Sequence, residues 1–232
     1  MSDELKRKLA RDILRHIPQE GVIAFGSGKT VNAIIRSIGD NVEKYANLIV
    51  LSGSSLTSET LTQSGIKETF YSPGMEIDLC IDGADQICST DPHYILKGRG
   101  GALLREKVLW RAAEKVYVAV TDDKIVPAIN GAIPIEFDPF AYPHVLKMLK
   151  FFYQDFSWEL RKHTTGIPFY SDGGNYIIDL HPPSSIGDPH GVAYRLKGIT
   201  GVIESGLFTD FSNVTAYIVD DTETRKLQLN MQ

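Results

Sequence analysis

The stretch GVIAFGSGKTVNAIIRSIG, residues 21–39, contains a complete strand–loop–helix unit. Its uninterrupted apolar run GVIAF is typical of a strand that is buried on both faces. The segment KTVNAIIRSIG spaces its apolar residues as a helix does and ends at a glycine, which predicts a helix over 29–39. The polar loop GSGKT therefore follows directly on the end of a buried strand.

The Gly-Lys-Thr that closes this loop is also found at the end of an ATP-binding P-loop. That motif requires a glycine, four further residues and then Gly-Lys, and the position where the first glycine should stand is Ile23. The glycines that do have this spacing, Gly21 and Gly26, are followed by Ser27. The spacing excludes a P-loop, so the loop is expected to hold another kind of ligand.

The alternation of short apolar runs with helices continues outward from this unit to about residue 130. Further strands are predicted at 46–51, 77–82 and 116–120, and helices at 5–17, 55–65 and 101–115. This alternation is typical of βαβ units in an α/β fold with a mostly parallel sheet. Ligands of such sheets bind beyond the carboxyl ends of the strands, where this chain has GSGKT, SGSS, DGAD and TDDK.

Beyond about residue 130 the predicted order of elements changes to β-α-β-β-α-β. The strands are expected at 132–137, 158–163, 176–180 and 201–205, and the helices at 141–153 and 190–198. This order matches a ferredoxin-like unit, and the DGGN before the third strand favours a hairpin. A last strand at 213–219 is expected to return to the first sheet. We predict a catalytic domain over 1–130 plus 206–232 and an inserted ferredoxin-like α+β domain over 131–205.

Composition narrows the class of protein. The chain has 232 residues, 43% of them hydrophobic, and a net charge of −5, so a surface for nucleic acid has no electrostatic support. Cys80 and Cys88 are too few for a disulfide framework or a zinc site, and the six histidines show no metal-ligand spacing. No apolar stretch reaches the length of a membrane span, and the N-terminal segment is charged and amphipathic. We expect a cytoplasmic protein with no membrane or nucleic-acid partner.

Asp82 ends the predicted strand IDLCID, and Asp85 lies just after it. One interpretation is that they shape a turn, because an aspartate accepts hydrogen bonds from its own backbone. The other is that carboxylates at a strand end hold sugar hydroxyls or move protons. The residues alone leave both interpretations open.

The segment ILKGRGGALLREKV joins a lysine at a strand end to a glycine-rich loop and a helix. Such a loop offers backbone N–H groups and the positive end of a helix dipole to an anion. Glu106, about one turn into the helix, is either a solvated carboxylate that favours the dipole or a base close to the cation of Lys97.

The loops that follow the first two strands are rich in hydroxyl side chains. Ser27 and Thr30 lie in FGSGKT, whose backbone donors can bind a phosphate or a polyhydroxy ligand. In SGSSLTSE, Ser55 or Thr57 is a plausible helix cap. Lys124, in TDDK, is a single cation at a strand end and is a weak signal by itself.

Taken together, GSGKT, DGADQI, KGRGGALLREK, TDDK, DGGNYIIDLH and GVIESGLF occur here in an order and spacing that resemble type A ribose-5-phosphate isomerases. The resemblance runs from about residue 4 to 220. It implies a Rossmann-like domain with a ferredoxin-like α+β domain, in agreement with the predicted elements. It also implies a cytoplasmic, metal-free aldose–ketose isomerase without a cofactor, acting in the non-oxidative pentose phosphate pathway as a homodimer or homotetramer.

The resemblance assigns roles by motif position. Glu106 would shuttle a proton between C2 and C1 of the sugar through a cis-enediolate, and Lys97 would stabilise the negative charge that develops. Asp82 would assist ring opening and Asp85 would hold the sugar. The implied substrate-binding residues are Ser27, Gly28, Lys29, Thr30, Asp82, Gly83, Ala84, Asp85, Lys97, Gly98, Arg99, Gly100 and Lys124.

Two residues depart from the family pattern. Lys29 stands in Gly-Ser-Gly-Lys-Thr where the family usually has Gly-Thr-Gly-Ser-Thr, and Arg99 replaces a usual glycine. If position 99 requires a positive φ, the arginine costs about 1 kcal/mol or more. Two other functions fit the same loops: another sugar-phosphate isomerase or transferase on this fold, and a regulator that binds a sugar phosphate without turnover. The regulator needs no base, so the presence of both Lys97 and Glu106 argues against it.

Overall fold

The computed structural model describes residues 3–231 of the chain, in which six α-helices and fourteen β-strands are assigned. The helices are α1 (Asp3–Leu14), α2 (Lys29–Gly39), α3 (Ser55–Gln63), α4 (Leu103–Ala112), α5 (Tyr142–Phe152) and α6 (Pro189–Lys197). The strands are β1 (Glu20–Phe25), β2 (Asn47–Ser52), β3 (Ile77–Asp82), β4 (Gln86–Cys88), β5 (Ile95–Leu96), β6 (Ala113–Thr121), β7 (Ile125–Val126), β8 (Ile133–Phe137), β9 (Ser157–Leu160), β10 (Tyr176–His181), β11 (Val202–Ser205), β12 (Leu207–Phe208), β13 (Val214–Val219) and β14 (Thr224–Gln228).

The described residues divide into two compact units. The first unit comprises the described residues up to Ala84, Arg105–Lys124 and Ser212–Asn230, and the second comprises Asp85–Leu104, Ile125–Phe211 and Met231. The second unit extends beyond the predicted ferredoxin-like domain, 131–205, because it also contains 85–104, 125–130, 206–211 and Met231. The predicted domain boundaries stay a prediction, and residues 1, 2 and 232 at their ends lie outside the described residues.

A six-stranded sheet forms the centre of the first unit. Its strand order is β14-β13-β6-β3-β1-β2, and every neighbouring pair is parallel except the β13–β14 hairpin at the edge. Parallel strands require crossover connections, which here contain α2, α3 and α4. The predicted α/β fold with a mostly parallel sheet is confirmed, and the strand predicted at 213–219 does return to this sheet.

The first hydrophobic core lies between this sheet and the helices α1 and α2. Ile34, Ile35 and Ile38 of α2 are buried against strand residues such as Ile23 and Phe25. The helical spacing that predicted α2 from the sequence is therefore the spacing of its core-facing residues. Because β1 and α2 are fixed by this core, the loop that joins them has fixed ends.

The second unit contains a four-stranded antiparallel sheet of order β11-β8-β10-β9. Together with α5 and α6 it has the β-α-β-β-α-β order of a ferredoxin-like unit, as the sequence predicted. Its own core includes Ile133, Ile135, Phe137, Val145 and Leu149. A second small sheet of this unit, β12-β5-β4-β7, consists of strands of two or three residues.

Some predicted elements are too long. The helix expected over 5–17 ends at Leu14, and the strand expected over 158–163 ends at Leu160. The helix expected over 101–115 ends at Ala112, and Ala113 already pairs with Ile77 of β3. The residues Ala113–Lys115 thus enter the sheet, because pairing with β3 outweighs their helix propensity.

No helix between residues 3 and 231 combines the length and the hydropathy that a membrane span requires. Within the same residues, no group of three or more His, Cys, Asp and Glu side chains has an arrangement that could hold a metal ion.

Candidate active site

The loop after β1 is fixed to the ends of neighbouring strands. The Gly26 N–H donates to the Ile81 carbonyl at 2.8 Å, and the Gly53 N–H donates to the Phe25 carbonyl at 2.7 Å. A Cβ atom at Gly26 would overlap the Asp82 carboxylate. Glycine at this position therefore leaves the space that the Asp82 side chain occupies.

Asp82 is the last residue of β3 and is fully buried. Its Oδ1 accepts the N–H of Gly83 at 2.7 Å and the N–H of Ser27 at 3.2 Å. Its Oδ2 accepts the indole N–H of Trp110 at 2.8 Å. Three N–H donors from three different elements thus hold this carboxylate in one orientation, and Asp82 links the ends of β1 and β3 to α4.

Glu106 lies in the first turn of α4 and its side chain is 1% exposed. Its Oε1 accepts the hydroxyl proton of Ser27 at 2.5 Å. Burying a carboxylate costs free energy unless it is hydrogen-bonded. The hydrogen bond from Ser27 therefore offsets part of the cost of burying Glu106. The interpretation of Glu106 as a solvated surface carboxylate is wrong. Ser27, the adjacent pair Asp82–Gly83 and Glu106 are far apart in the sequence and are brought together at the carboxyl end of the sheet.

The rest of the loop leads into α2. Gly28 is the N-cap residue with φ +112°, a backbone conformation that a residue with a side chain rarely adopts. The helix has no side-chain hydrogen bond at this cap, so its first N–H groups are not occupied by a capping side chain and can bind an anion. Lys29 is the first helical residue and is exposed, and Thr30 is half-buried.

The second loop, after β2, supports the first one. Ser54 is the N-cap of α3 and accepts the Thr57 N–H at 3.1 Å. The prediction of Ser55 or Thr57 as the helix cap is therefore wrong, because the cap residue is Ser54. Thr57 instead donates its hydroxyl proton to the Gly26 carbonyl at 2.6 Å, so α3 fixes the peptide that precedes Ser27.

Lys124 ends a 3-10 turn after β6, where its Nζ lies 3.1 Å from Asp123 Oδ2. A hydrogen bond from the Thr121 side chain, more than the charge of Lys124, lowers the pKa of Asp123. Lys124 is half-buried, and the ion pair that the structure shows for it is with Asp123 rather than with Asp82 or Glu106.

The remaining predicted residues belong to the second unit, except Ala84, a half-buried residue at the end of the first. Asp85 Oδ2 accepts the Arg99 N–H at 3.1 Å, which ties the loop 97–100 to the residue after DGA. The Lys97 N–H donates to the Gly206 carbonyl at 2.8 Å, and a Cβ at Gly206 would overlap the Lys97 carbonyl. The Lys97 side chain is buried, with Nζ 5.9 Å from the centre of the Phe208 ring.

The loop conformation resolves the question raised by Arg99. Within residues 3–231 no residue other than glycine has a positive φ, whereas Gly98 and Gly101 do, at +99° and +81°. Arg99 therefore carries no left-handed strain, and the expected cost does not arise. Arg99 and Gly100 are both exposed.

Comparison with known proteins identifies the family. The family model described as ribose 5-phosphate isomerase A (phosphoriboisomerase A) matches residues 49–223. A probable ribose-5-phosphate isomerase 2 of Arabidopsis thaliana is 34% identical over 219 residues, covering 91% of this chain and 82% of that protein. The ribose-5-phosphate isomerase A of Chlamydia trachomatis serovar D is 32% identical over 229 residues, covering 97% and 93%.

This chain belongs to the ribose 5-phosphate isomerase A family. The solved structure of ribose 5-phosphate isomerase from Plasmodium falciparum matches it with a TM-score of 0.89 at 27% identity, covering 98% of this chain and 99% of that one. The chain is thus an isomerase, and the reaction of its family interconverts ribose 5-phosphate and ribulose 5-phosphate in the non-oxidative pentose phosphate pathway.

The sequence did not indicate three residues of this isomerase that hold predicted site residues in place. The sequence pattern predicts only an apolar helix residue at Trp110, but its indole N–H donates a hydrogen bond to Asp82. Thr57 reads as a cap, but it holds the Gly26 carbonyl. Arg161 lies in a different part of the chain from the loop 97–100, yet it donates to two carbonyls of that loop. A buried tryptophan requires a partner for its N–H, which was the one available signal among the three.

Proposed function

We propose that Glu106 is the base of this isomerase and that it moves a proton between C2 and C1 of the open-chain sugar phosphate. A proton next to a carbonyl is too weakly acidic for a lone carboxylate in water to remove it efficiently. A carboxylate that is held at the reacting carbons contributes roughly 10²- to 10⁴-fold. The same carboxylate then returns the proton to the neighbouring carbon of the cis-enediolate.

The developing oxyanion needs a partner, and Lys97 is the residue proposed for this role. Fixed positive charge at the position where negative charge develops is usually the largest single contribution to such catalysis. The burial of Lys97 supports the proposal, because an ammonium group removed from water interacts more strongly with an oxyanion. Triosephosphate isomerase, a worked example of this class of reaction, also combines a glutamate base with a fixed electrophile.

Asp82 and Asp85 are proposed to act on the sugar hydroxyls, with Asp82 assisting ring opening. Backbone and side-chain donors of Ser27–Thr30 and Lys97–Gly100, together with Lys124, are proposed to bind the substrate and its phosphate. Binding energy from a part of the substrate that does not react can be used to orient the part that does. Gly83 and Ala84 complete the proposed substrate-binding set.

The observation that carries the assignment of Glu106 is its contact with Ser27. A buried carboxylate 2.5 Å from a hydroxyl of the strand-end loop lies where ligands of parallel α/β sheets bind. An electrostatic role at the surface would leave the carboxylate in water. Support for a base comes from the combination of burial, a single fixed orientation and this location.

The test is the conversion of ribose 5-phosphate to ribulose 5-phosphate in the presence of EDTA. We expect the wild-type protein to be active in chelator, and Glu106→Gln to lose at least about 10²-fold in kcat with substrate binding retained. Glutamine keeps the shape of the side chain, but it is uncharged and cannot act as a base.

Glu114→Gln is the matched control, because Glu114 is an exposed glutamate of β6 paired with Lys115. Its activity should stay at the wild-type level. If Glu106→Gln turned over as fast as this control, the base would have to be another residue, and loss of wild-type activity in EDTA would contradict the metal-free reaction.

We also propose that the protein acts in the cytoplasm as a homodimer or homotetramer. Exposed aromatic side chains of the second unit, Phe140 and Phe151, are compatible with an interface between copies. Sedimentation equilibrium on the purified protein measures the state directly, and a single monomeric species at micromolar concentration would rule the assembly out.

A further inference from the structure

Several contacts of the loop 97–100 are made by its backbone. The Lys97 N–H bonds to Gly206, the Arg99 N–H bonds to Asp85, and the Gly101 N–H closes a turn on the Gly98 carbonyl at 3.0 Å. A Cβ at Gly98 would lie 3.1 Å from Leu103 Cβ and 3.2 Å from Pro134 Cγ. The backbone therefore runs close against its surroundings on one side.

One side chain binds the carbonyl groups of this loop. Arg161 Nη1 donates to the Gly98 carbonyl at 3.0 Å and to the Arg99 carbonyl at 3.1 Å. On its other edge, the Nε of Arg161 donates to Asp179 Oδ2 at 2.8 Å, and its Nη2 donates to Asp179 Oδ1. The guanidinium carbon lies 5.7 Å from the centre of the Phe169 ring. The arginine thus uses both edges and one face of its guanidinium group.

The groups that hold Arg161 in place lie in, or next to, the paired strands β9 and β10. Arg161 directly follows β9, and its N–H donates to the Ile177 carbonyl of β10 at 2.8 Å. Asp179 lies in β10 opposite Glu159. The side chains of Arg161 and Asp179 are only 14% and 16% exposed, so the pair is largely protected from the screening that weakens surface ion pairs. A planar guanidinium group that is hydrogen-bonded along two edges cannot readily change its orientation.

The consequence for the loop follows from the planarity of the peptide bond. In a trans peptide the carbonyl and the next N–H point in opposite directions. The peptide that carries the Gly98 carbonyl therefore turns the Arg99 N–H away from Arg161, where it meets Asp85. The peptide that carries the Arg99 carbonyl directs the Gly100 N–H away from Arg161 in the same manner.

We propose that Arg161, held by Asp179, is a positioning residue for the reaction. By fixing two successive carbonyls it fixes the direction of the Gly100 N–H as a donor to an oxyanion of the substrate, and it anchors the loop that begins with Lys97. Arg161 does not itself touch the substrate in this arrangement. The inference rests on the proposed role of the loop 97–100 in binding the sugar phosphate.

The test uses Arg161→Lys, because lysine keeps the charge but lacks the fork that joins two carbonyls to a carboxylate. We expect faster amide hydrogen exchange in the segment 97–101, measured by mass spectrometry. We also expect kcat/KM for ribose 5-phosphate to fall about 10- to 100-fold, the range that a small misplacement of a site costs. Asp179→Asn should change both quantities in the same direction and by less.

Controls separate positioning from a loss of folding. Arg195→Lys is the same substitution at an exposed position of α6, and both readouts should stay at wild-type values. For Arg161→Ala, millimolar guanidinium chloride should restore part of kcat/KM, whereas sodium chloride at the same concentration should not. A purely structural defect would not respond to this choice of cation.

The outcomes distinguish this inference from the assignment of Glu106. Unchanged exchange in the segment 97–101 of a folded Arg161→Lys protein overturns the inference, as does faster exchange with full activity. Neither result affects the loss expected for Glu106→Gln. If instead Glu106→Gln were active while Arg161→Lys lost both protection and activity, the positioning role would stand and the base would have to be reassigned.

Discussion

At the scale of single residues, the candidate site depends on carboxylates whose orientation is fixed by N–H and O–H donors. Asp82 and Glu106 were both predicted as site residues from the sequence, because their motifs are local and continuous, and their roles remain a prediction. Of their hydrogen-bond partners, Ser27 and Gly83 were also predicted as site residues. Trp110 was not, since it reaches Asp82 only when α4 packs on the sheet. The sequence thus indicates candidate groups, and the tertiary packing decides how they are held.

Trp110→Phe tests the orientation of Asp82. The substitution keeps an aromatic ring in the core and removes the N–H that donates to Oδ2. Because the acceptor is a buried carboxylate, we expect the free energy of unfolding to fall by about 1–3 kcal/mol, measured by urea denaturation, together with a lower kcat.

Trp158→Phe, at a half-buried tryptophan of β9, is the control for the change of ring size. An equal loss of stability and of kcat in both variants would mean that the hydrogen bond to Asp82 has no specific role.

At the scale of elements, the helices and strands that carry clear periodicity were predicted to within about three residues at each end. The helix over 29–39 and the strand over 77–82 agree with the structure, because continuous apolar segments bounded by turn residues have few alternatives. The strand β14, TRKLQ, was not predicted, since an edge strand rich in polar residues has no apolar face to read. Strands of two residues, such as β5 and β7, are too short to show any period.

The cap of α3 gives a prediction at this scale. Ser54→Ala removes the acceptor of the Thr57 N–H and also the partner of the Thr57 hydroxyl at 2.9 Å. Loss of such a cap costs about 1 kcal/mol, which we expect to see as a lower urea midpoint with an unchanged slope.

Ser55→Ala is the internal comparison for this variant, because Ser55 is the exposed neighbour that the sequence alone suggested as a cap. A destabilisation as large as that of Ser54→Ala would contradict the assignment of Ser54.

At the scale of the whole molecule, alternation of strands and helices was enough to predict a parallel α/β sheet with a ferredoxin-like unit. The small sheet β12-β5-β4-β7 could not be predicted, because it combines strands that are more than a hundred residues apart in the chain.

Acid stability is also measured on the molecule as a whole, and it depends on carboxylates that are hydrogen-bonded only when the chain is folded.

Asp220, in the turn of the β13–β14 hairpin, is such a carboxylate. Hydrogen bonds from the Thr222 hydroxyl and from the backbone of Glu223 and Thr222 lower its pKa to about 2 from an ordinary value of 3.8. A pKa that is lower in the folded state stabilises the fold at pH values above the pKa of the unfolded chain. This contribution disappears as the pH falls from about 4 towards 2.

We therefore expect Asp220→Asn to be less stable than wild type at neutral pH, with a gap that narrows below about pH 4. Urea unfolding at a series of pH values measures this, with Asp221→Asn as the control for loss of one exposed negative charge. A gap that stays constant down to acid pH would contradict the role of these hydrogen bonds.

The most direct test of Glu106 as the base is the fate of the transferred proton. When ribose 5-phosphate is converted in D₂O with EDTA present, NMR detects deuterium at C1 of ribulose 5-phosphate if an enediolate exchanges its proton through an ionisable group. We expect deuterium incorporation by the wild-type protein and by Glu114→Gln, and none above background by Glu106→Gln. Incorporation by Glu106→Gln at the wild-type rate would contradict the role of Glu106 as the base.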